Sequence, residues 1–397
     1  MRIAHLADIH IRGNERIEEY RNVFSKLYKS LQSQNVDLII VAGDIFHTKT
    51  DNITPEAIEL MVDFFRNLAS IANTHMILGN HDGNLKNEQR QDTISPIIQA
   101  IRNPNIKLHK NSEVETINGF DFYFYSLFDK EGWLKLKVQN SSRVNICVFH
   151  GSVLGCIADN GFELNDHAEV EQIFFKDFSY SMLGDIHKRQ SLDKAKRINY
   201  SGSLIQQNFG EELDKGYLVW DIQDANTFST QFVKLQNSCP FVTVEWCEDL
   251  EKTKAIIFEH FKNNLCQNGW KLRVKSNVQL SDNDKQSIKV YAHTKLDAKL
   301  VTFDEKVVYT VGEIELSNES ISKEELKTNR EKIKDLYVNF VSTNKTSQKE
   351  VDVERGKEKI DEYMSKLDSE ISSQIRDAII KIENFEFDNI FSYGKDN

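Results

Sequence analysis

The sequence lacks three features that would each place a protein in a particular class. No run approaches the roughly 18 apolar residues that cross a membrane, and Asp8 and His10 interrupt the first apolar run, where a secretory leader would lie. With 61 acidic against 50 basic side chains, the net charge of -11 excludes a globally basic nucleic-acid protein, although a local basic groove stays compatible with it. The five cysteines form no CxxC pair, which favours reduced thiols. We therefore expect an intracellular protein without membrane contact, not secreted, in the cytoplasm or nucleoid or in the nucleus according to the host.

What is present is a chain of 397 residues, long enough for two or three domains. Strand-like apolar runs alternate with helical spacing in the first part, which predicts an α/β fold with two sheets sandwiched between helices. A smaller α/β pattern follows Pro240, and from about Ser317 the composition becomes charged and helix-favouring. The expected divisions are an α/β sandwich domain, a small α/β cap domain, a C-terminal helical segment and a strand-like tail, at 1–238, 239–316, 317–380 and 381–397.

Local signals support several individual elements. The continuous apolar run VDLIIVA (36–42) predicts a fully buried strand. Thr54 and Pro55 have the residue types that begin a helix. Asn118-Gly119 predicts a tight hairpin turn between antiparallel strands. The stretch 278–294 fits no single type.

Short polar motifs follow five of the predicted strands. They are LADIH (Asp8, His10), VAGDIFH (Asp44), ILGNHD (Asn80, His81), CVFHG (His150) and MLGDIH (Asp185, His187). Asp, Asn and His supply the oxygen and nitrogen ligands suited to Mn, Zn, Fe or Mg. Five such motifs at the carboxyl ends of buried strands indicate a two-metal phosphoesterase.

The residue types suggest a division of roles. Only an anion sits comfortably between two dications, which makes Asp44 the candidate bridge. Asp8 and His10 are two apart on what we expect to be an extended segment, so both side chains would point to one side. Asn80 offers a carbonyl oxygen, while the adjacent His81 is left for acid or electrostatic work on the leaving group. Two metals at such a site would polarise a phosphate and lower the pKa of a bridging water.

Each motif also has a purely structural interpretation, because a buried Asp–His pair is often only a hydrogen-bonded contact. The other seven histidines are assigned to the surface or core, with His47 near enough to Asp44 to support it: His5, His47, His75, His109, His167, His260 and His293. A basic run follows the last motif: Lys188, Arg189, Lys194, Lys196 and Arg197. It is either a solvated loop or a contact surface for a DNA backbone.

The order D-x-H, G-D, G-N-H-D, H-G and G-x-x-H resembles the calcineurin-like metallophosphoesterase superfamily. Within this superfamily, the segments FHG…LGDIHKRQ…YSGSLIQQNFGE…KGY are similar to SbcD-type nucleases of DNA double-strand-break repair. The similarity is strong over residues 1–222. The resemblance implies that Asp8, His10, Asp44 and His187 hold a first metal. It likewise implies that Asp44, Asn80, His150 and position 185 hold a second, with His81 as the catalytic histidine.

The same resemblance implies an activity and partners. It implies a Mn²⁺-dependent enzyme, with Mg²⁺ a weaker substitute, that acts as a 3′-to-5′ exonuclease and a hairpin endonuclease on DNA ends. It further implies a homodimer that works with an SMC-like, SbcC-type ATPase. Where the family usually reads G-H-x-H, this chain has Gly184-Asp185-Ile186-His187. A carboxylate can replace imidazole, but it adds negative charge and shortens the reach, so Asp185 either ligates or leaves the second metal bound differently.

The C-terminal part and the exact activity each have more than one interpretation. The segment 317–380 is either a docking element for the ATPase or a helical hairpin folded on its own core. The tail KIENFEFDNIFSYGKDN (381–397) resembles the opening strand of an SbcC-type ATPase, or it is an ordinary strand. The motifs are equally compatible with a phosphatase, a nucleotide phosphodiesterase, or an inactive scaffold that binds DNA ends.

Overall fold

The chain alternates strands and helices, as the apolar pattern predicts. The computed structural model describes residues 1–12, 16–47, 53–87, 90–159, 161–166, 168–237, 239–264, 266 and 269–305. The strands are β1 (Arg2–Leu6), β2 (Leu38–Ala42), β3 (Asn73–Ile77), β4 (Ile106–His109), β5 (Glu113–Ile117), β6 (Phe120–Tyr125), β7 (Asn145–His150), β8 (Tyr180–Gly184), β9 (Gln190–Ser191), β10 (Ile198–Tyr200), β11 (Gly216–Ile222), β12 (Phe228–Lys234), β13 (Phe241–Glu245), β14 (Lys271–Ser276) and β15 (Leu300–Glu305). The helices are α1 (Ile17–Gln34), α2 (Pro55–Ile71), α3 (Ser95–Ile101), α4 (Lys130–Trp133), α5 (Leu250–Asn263) and α6 (Asp282–Lys295), with a 3₁₀ turn at Gln172–Phe175.

Two six-stranded sheets form the larger part of the structure. The first has the order β12-β11-β1-β2-β3-β4 and the second the order β5-β6-β7-β8-β10-β9. Strands β1 to β4 are parallel, and β11 joins β1 in antiparallel fashion with Arg2 opposite Asp221. In the second sheet β6, β7, β8 and β10 are parallel. Parallel strands place their carboxyl ends at one edge, which is where the polar motifs lie.

The two sheets pack face to face and confirm the predicted sandwich. Every residue of β2 is buried, as its uninterrupted apolar run requires. Its alternate residues Leu38 and Ile40 share a core with Phe122 of the second sheet. Ile39 points the other way, into a core formed with α1 and α2, where Phe24 meets Phe64 at 4.5 Å between ring centroids. The outer face of the second sheet is covered by α4 and the 3₁₀ turn.

Two local predictions are confirmed in detail. Helix α2 begins at Pro55, and the Thr54 hydroxyl accepts a hydrogen bond from the Ala57 amide at 3.3 Å, so it caps the first turn. The β5–β6 hairpin turns at Asn118 (φ 49°) and Gly119 (φ 86°). Both residues therefore have the positive φ that a two-residue turn of this kind needs.

A small three-stranded parallel sheet, β13-β14-β15, packs with α5 and α6. Helix α6 occupies the stretch whose type the sequence left undecided, and its buried residues Ile288 and Ala292 are four apart. The sheet contacts the sandwich through a buried ion pair between Lys271 Nζ and Glu19 Oε2 at 2.8 Å. The Phe241 amide also donates to Gln206 Oε1 at 3.0 Å.

The C-terminal predictions cannot be compared with these elements. The helical segment 317–380 and the tail 381–397 lie outside the described residues. Among the described residues, no helix combines the length and the apolar character that crossing a membrane would require.

Candidate metal centre

The polar motifs converge at the carboxyl edges of the two facing sheets. Asp8 and His10 follow β1, Asp44 follows β2, and Asn80 and His81 follow β3. From the second sheet, His150 ends β7, and Asp185 and His187 follow β8. We call these eight residues the strand-end cluster. The structure thus brings together every residue predicted to be a metal ligand, together with the predicted catalytic histidine.

One half of the cluster is formed by Asp8, His10 and His187, whose ligand atoms all lie within 4.8 Å of one another. His10 Nε2 lies 2.8 Å from His187 Nε2. It also lies 3.6 Å from Asp44 Oδ2. Two imidazole nitrogens and carboxylate oxygens therefore point at a common position.

The other half is arranged around His150. Its Nε2 lies 3.4 Å from Asp44 Oδ1, 3.3 Å from Asn80 Oδ1 and 3.8 Å from Asp185 Oδ1. Its Nδ1 lies 2.7 Å from the Ala42 carbonyl, to which it donates, so Nε2 is the ring nitrogen that faces the cluster. The two oxygens of Asp44 accordingly face different halves of the cluster.

Four members of the cluster have a left-handed backbone. The φ angles of Asp8, His10, Asp44 and Asp185 are 53°, 52°, 53° and 100°. Our expectation of an extended segment at Asp8 and His10 is therefore wrong, since these side chains converge through a turning backbone. Such conformations cost on the order of 1–3 kcal/mol each and persist only where the surroundings impose them. Here the neighbouring loop imposes them, because the amides of Asp8 and His10 donate to the carbonyls of Gly43 and Asp44 at 3.1 and 3.0 Å.

Asp82 links the loop that follows β2 to the loop that follows β3 through hydrogen bonds. This fully buried carboxylate accepts hydrogen bonds from the amides of Ile45, Phe46 and Gly79, each at 2.9 Å to one of its oxygens. A side chain at Gly79 would collide with the Asp44 carboxylate. The last Asp of the G-N-H-D motif is thus a positioning residue for Asp44, a role that the sequence analysis did not assign.

His81 lies at the solvent side of the cluster, with 41% of its side chain exposed. Its amide donates to Asp44 Oδ1 at 2.9 Å, and its ring Nδ1 contacts the His47 carbonyl oxygen. Its Nε2 lies 4.0 Å from Asp44 Oδ2. The ring is therefore oriented by protein groups on one side and presents Nε2 to the cluster on the other, which suits transfer of a proton at that atom.

Glu211 is a functional residue that the sequence analysis missed. It is buried, and its Oε1 lies 3.0 Å from His187 Nδ1 while its Oε2 lies 2.7 Å from Lys215 Nζ. Burial opposes its ionisation, but the hydrogen bond from His187 and the Lys215 charge lower the pKa of Glu211 to about 2. Glu211 thereby keeps the Nε2 side of His187 directed at the cluster. Glu211 is the last residue of the segment GSLIQQNFGE. Its only signal in the sequence is Lys215, four residues later, as a candidate ion-pair partner.

The donors fit divalent cations. Burial raises the pKa of Asp8 to about 7 and also raises the pKa of Asp185. Burial disfavours ionised Asp44 as well, but the nearby His150 lowers the pKa of that carboxyl. Asp8 Oδ2 is buried and has no hydrogen-bond partner among the described residues. Burial opposes protonation of His150 and His187, but the surrounding carboxylates raise the pKa of His150 and raise that of His187 to about 9. In the metal-free protein these imidazoles balance the carboxylates, and a bound cation would replace that charge. O and N ligands of this kind suit Mn, Fe, Zn or Mg.

The predicted basic surface is divided. Lys188 Nζ lies 3.8 Å from Glu212 Oε1, and the Arg189 guanidinium lies over the Phe232 ring at 4.2 Å from its centroid. Both follow directly after the cluster. Lys196 and Arg197 precede β10, in which Ile198 pairs with Ser181, so they lie toward the opposite end of the sheet from Asp185.

Comparison with known proteins gives a family match and three similar proteins. Residues 1–189 match the family described as calcineurin-like phosphoesterase. Protein R555 of Acanthamoeba polyphaga mimivirus, described as uncharacterized, is 33% identical over 385 residues, which cover 86% of this chain and 28% of that protein. Two proteins named as the D subunit of the nuclease SbcCD are also similar. The one from Staphylococcus epidermidis is 25% identical over 264 residues, covering 59% of this chain and 70% of that protein. The one from Staphylococcus saprophyticus is 26% identical over 268 residues, covering 59% and 69%. The chain thus spans less than a third of the mimivirus relative.

Proposed function

We propose that the chain is a metal-dependent DNA nuclease that processes DNA ends in recombination, repair or replication. Its catalytic part would be residues 1–189, which match the calcineurin-like phosphoesterase family. The proposed activities are 3′-to-5′ exonuclease action on duplex ends and endonuclease action on single strands and hairpins. The observation that carries the proposal is the position of Asp44, whose two oxygens face His10 and His150 at 3.6 and 3.4 Å. The names of the two Staphylococcus relatives support a nuclease over other phosphoesterases.

We propose that the strand-end cluster holds two divalent ions, with Mn²⁺ preferred and Mg²⁺ a weaker substitute. Asp8, His10 and His187 would hold the first, and Asn80, His150 and Asp185 the second, with Asp44 shared between them. When bound, such ions polarise the phosphodiester and lower the pKa of a water between them. Support for Asp185 as a ligand comes from its carboxylate, 3.8 Å from His150 Nε2, and its amide, which donates to Asp8 Oδ1 at 3.0 Å.

The protein's own groups would then orient the substrate and move a proton. His81 donates a proton from Nε2 to the leaving alkoxide oxygen, while the His47 carbonyl holds its Nδ1 side. Lys188 and Arg189 contact the phosphate backbone beside the cluster. Lys196 and Arg197, at the other end of the sheet, would contact only DNA that extends across it.

Larger-scale roles are proposed for the remaining segments. Residues 239–316 would cap the site and help select DNA structure. The segment 317–380 would bind the coiled-coil base of an SMC-like ATPase, supplied as a separate chain or fused after the tail 381–397, and the nuclease would act as a homodimer. The mimivirus relative, of which the chain covers 28%, is long enough to be compatible with a fused form. A longer gene sequence with no ATPase encoded after residue 397 would contradict the fused form.

A single assay tests the nuclease proposal. Purified protein is incubated with end-labelled duplex and hairpin DNA, with Mn²⁺ or Mg²⁺, and in parallel with p-nitrophenyl phosphate esters. We expect Mn²⁺-dependent DNA cleavage, and for His81→Ala a loss of about 10²–10⁴-fold with unchanged metal content. His260→Ala, on helix α5 of the small module, is the matched control. Hydrolysis of the esters with DNA left intact would instead support a phosphatase.

A further inference from the structure

A second group of histidines and carboxylates lies away from the strand-end cluster. His75 on β3 and His109 on β4 are buried between the sheets, and Glu113 and Glu115 on β5 point toward them. We call these four residues the edge cluster, because β4 and β5 are the outermost strands of the two sheets on that side. The sequence analysis assigned both histidines to the core or surface.

The edge cluster has the geometry of a three-ligand site. His75 Nδ1 lies 2.9 Å from His109 Nε2, and each of these nitrogens lies 3.6 Å from Glu115 Oε2. Ligands at about 2.0–2.1 Å in a tetrahedron are about 3.3 Å apart, so only shifts of a few tenths of an ångström separate these atoms from ligand positions. All three lie within 4.8 Å of one another.

Glu113 orients one of the imidazoles. Its Oε1 lies 2.6 Å from His109 Nδ1, so Nδ1 carries the proton and Nε2 presents a lone pair to His75 and Glu115. Burial lowers the pKa of His109 to about 3 and also lowers the pKa of His75, so both rings are neutral at neutral pH. A carboxylate behind a histidine whose other nitrogen faces further donors is the arrangement found around bound zinc.

Lys107 competes for the same carboxylate. Its Nζ lies 2.8 Å from Glu115 Oε2, and 45% of its side chain is exposed, so it can turn into solvent. Without a cation, His75 Nδ1 would donate to His109 Nε2 and the network would close as a chain of hydrogen bonds. If the edge cluster is a metal site, removing Lys107 frees Glu115 for the cation. If it is only a hydrogen-bond network, removing Lys107 takes away a partner of Glu115.

We propose that the edge cluster binds a divalent cation of the Zn²⁺ type through His75 Nδ1, His109 Nε2 and Glu115, with water as a fourth ligand. Imidazole and carboxylate together suit Zn²⁺ and Co²⁺ better than Mg²⁺. Since β3 and β4 belong to one sheet and β5 to the other, the ion joins the two sheets at their open edge. This site is independent of the proposed nuclease activity.

The test uses the full chain with the strand-end cluster disabled by Asp44→Asn and His150→Gln. Titration with Co²⁺ is followed by the visible absorption of the ion and by metal content, and folding is checked by circular dichroism. We expect one Co²⁺ per chain with intense, tetrahedral-type bands, lost in Glu115→Gln and in His109→Gln. Zn²⁺ should raise the unfolding temperature of the background protein and have no such effect in Glu115→Gln. If the background variant does not fold, metal content of the wild type against Glu115→Gln decides the matter, with a difference of one ion expected.

Two further variants separate metal binding from a hydrogen-bond network. Glu113→Gln should weaken Co²⁺ binding by about 10–100-fold without abolishing it. Lys107→Met should tighten binding, whereas Lys110→Met, at a similarly exposed lysine paired with Asp92 instead, should leave it unchanged. Absence of the Co²⁺ bands, or their survival in both Glu115→Gln and His109→Gln, would overturn the proposal.

Discussion

The strand-end cluster and the edge cluster contain the same chemical groups on different backbones. In each, two imidazole nitrogens meet beside carboxylates, at 2.8 Å between His10 and His187 and at 2.9 Å between His75 and His109. Apart from His150, which ends β7, the strand-end residues lie on loops, four of them with positive φ, whereas the edge residues lie on regular paired strands. The first arrangement depends on hydrogen bonds between adjacent loops and on amides that donate to Asp82, and the second depends only on side chains.

The two clusters also differ in the charge that burial opposes. In the strand-end cluster burial keeps protons on carboxyl groups, and it raises the pKa of Asp8 to about 7. In the edge cluster burial keeps protons off imidazoles, and it lowers the pKa of His109 to about 3. In the strand-end cluster Asp8 therefore loses its proton as the pH rises, and a bound cation would balance that charge, while the imidazoles of the edge cluster stay neutral.

The largest effect should come from Asp44→Asn, which removes the carboxylate that faces both halves of the strand-end cluster. We expect phosphodiesterase activity to fall by about 10³-fold or more, beyond the roughly 10–100-fold cost of losing a group that only orients a ligand. The unfolding temperature of the metal-free protein should fall, because His150 lowers the pKa of the Asp44 carboxyl and so stabilises its ionised form in the folded state. Asp221→Asn, at an exposed position of β11, is the control. Activity within tenfold of the wild type would contradict the shared position of Asp44.

Glu211→Gln should have the next largest effect. It removes the charge that holds His187, so metal affinity measured by titration should fall by about 10–100-fold, and excess metal should restore activity. Glu212→Gln changes the neighbouring residue, whose side chain is 60% exposed, and should leave affinity unchanged. Loss of activity that excess metal does not restore would assign Glu211 a different role.

Asp185→His tests the departure from the family pattern. Imidazole suits Mg²⁺ poorly, so the ratio of Mn²⁺- to Mg²⁺-supported activity should rise, by roughly tenfold if one ligand of one metal is exchanged. The measurement is the rate of DNA cleavage at matched metal concentrations. If neither metal preference nor activity changes, position 185 is not a ligand.

The smallest effect is the opposite pH dependence of the two clusters in metal-free protein. Between about pH 4 and 7 the folded state binds more protons than the unfolded state at Asp8, so this group lowers stability as the pH rises. Between about pH 6.5 and 3 the unfolded state binds more protons at His109, so that group lowers stability as the pH falls.

Thermal unfolding is followed across these pH ranges with a chelator present. Asp8→Asn should reduce the fall in unfolding temperature between pH 4 and 7, and His109→Gln the fall between pH 6.5 and 3, each by about 2–5 °C. The pH dependence is reduced and not abolished, because Asp82, with a pKa raised by burial to about 7, and His5, with a pKa lowered by burial to about 3, remain. If Asp8→Asn instead changed the pH dependence between pH 6.5 and 3 assigned to His109, or the reverse, the difference between the two clusters would be contradicted.

The sequence predicts the sandwich and the place of the strand-end residues at the sheet edges, because both depend on local patterns. The continuous apolar run 36–42 predicts a strand buried on both faces, so Asp44, which follows it, is expected at the edge of the sheet. The left-handed backbone at Asp8 and His10 could not be predicted, because loop-to-loop hydrogen bonds impose it. Glu211 and Asp82 were missed for a similar reason, since their partners become visible only when distant segments meet.

The pairing of Arg2 with Asp221 has a consequence for synthesis on the ribosome. Strand β1 gains β2 as a neighbour early, but its other edge waits for β11, more than 200 residues later. At about 5–20 residues per second, the nascent chain exposes that edge for roughly 10–40 seconds. Slow translation of the first 220 codons should therefore increase the demand for chaperones.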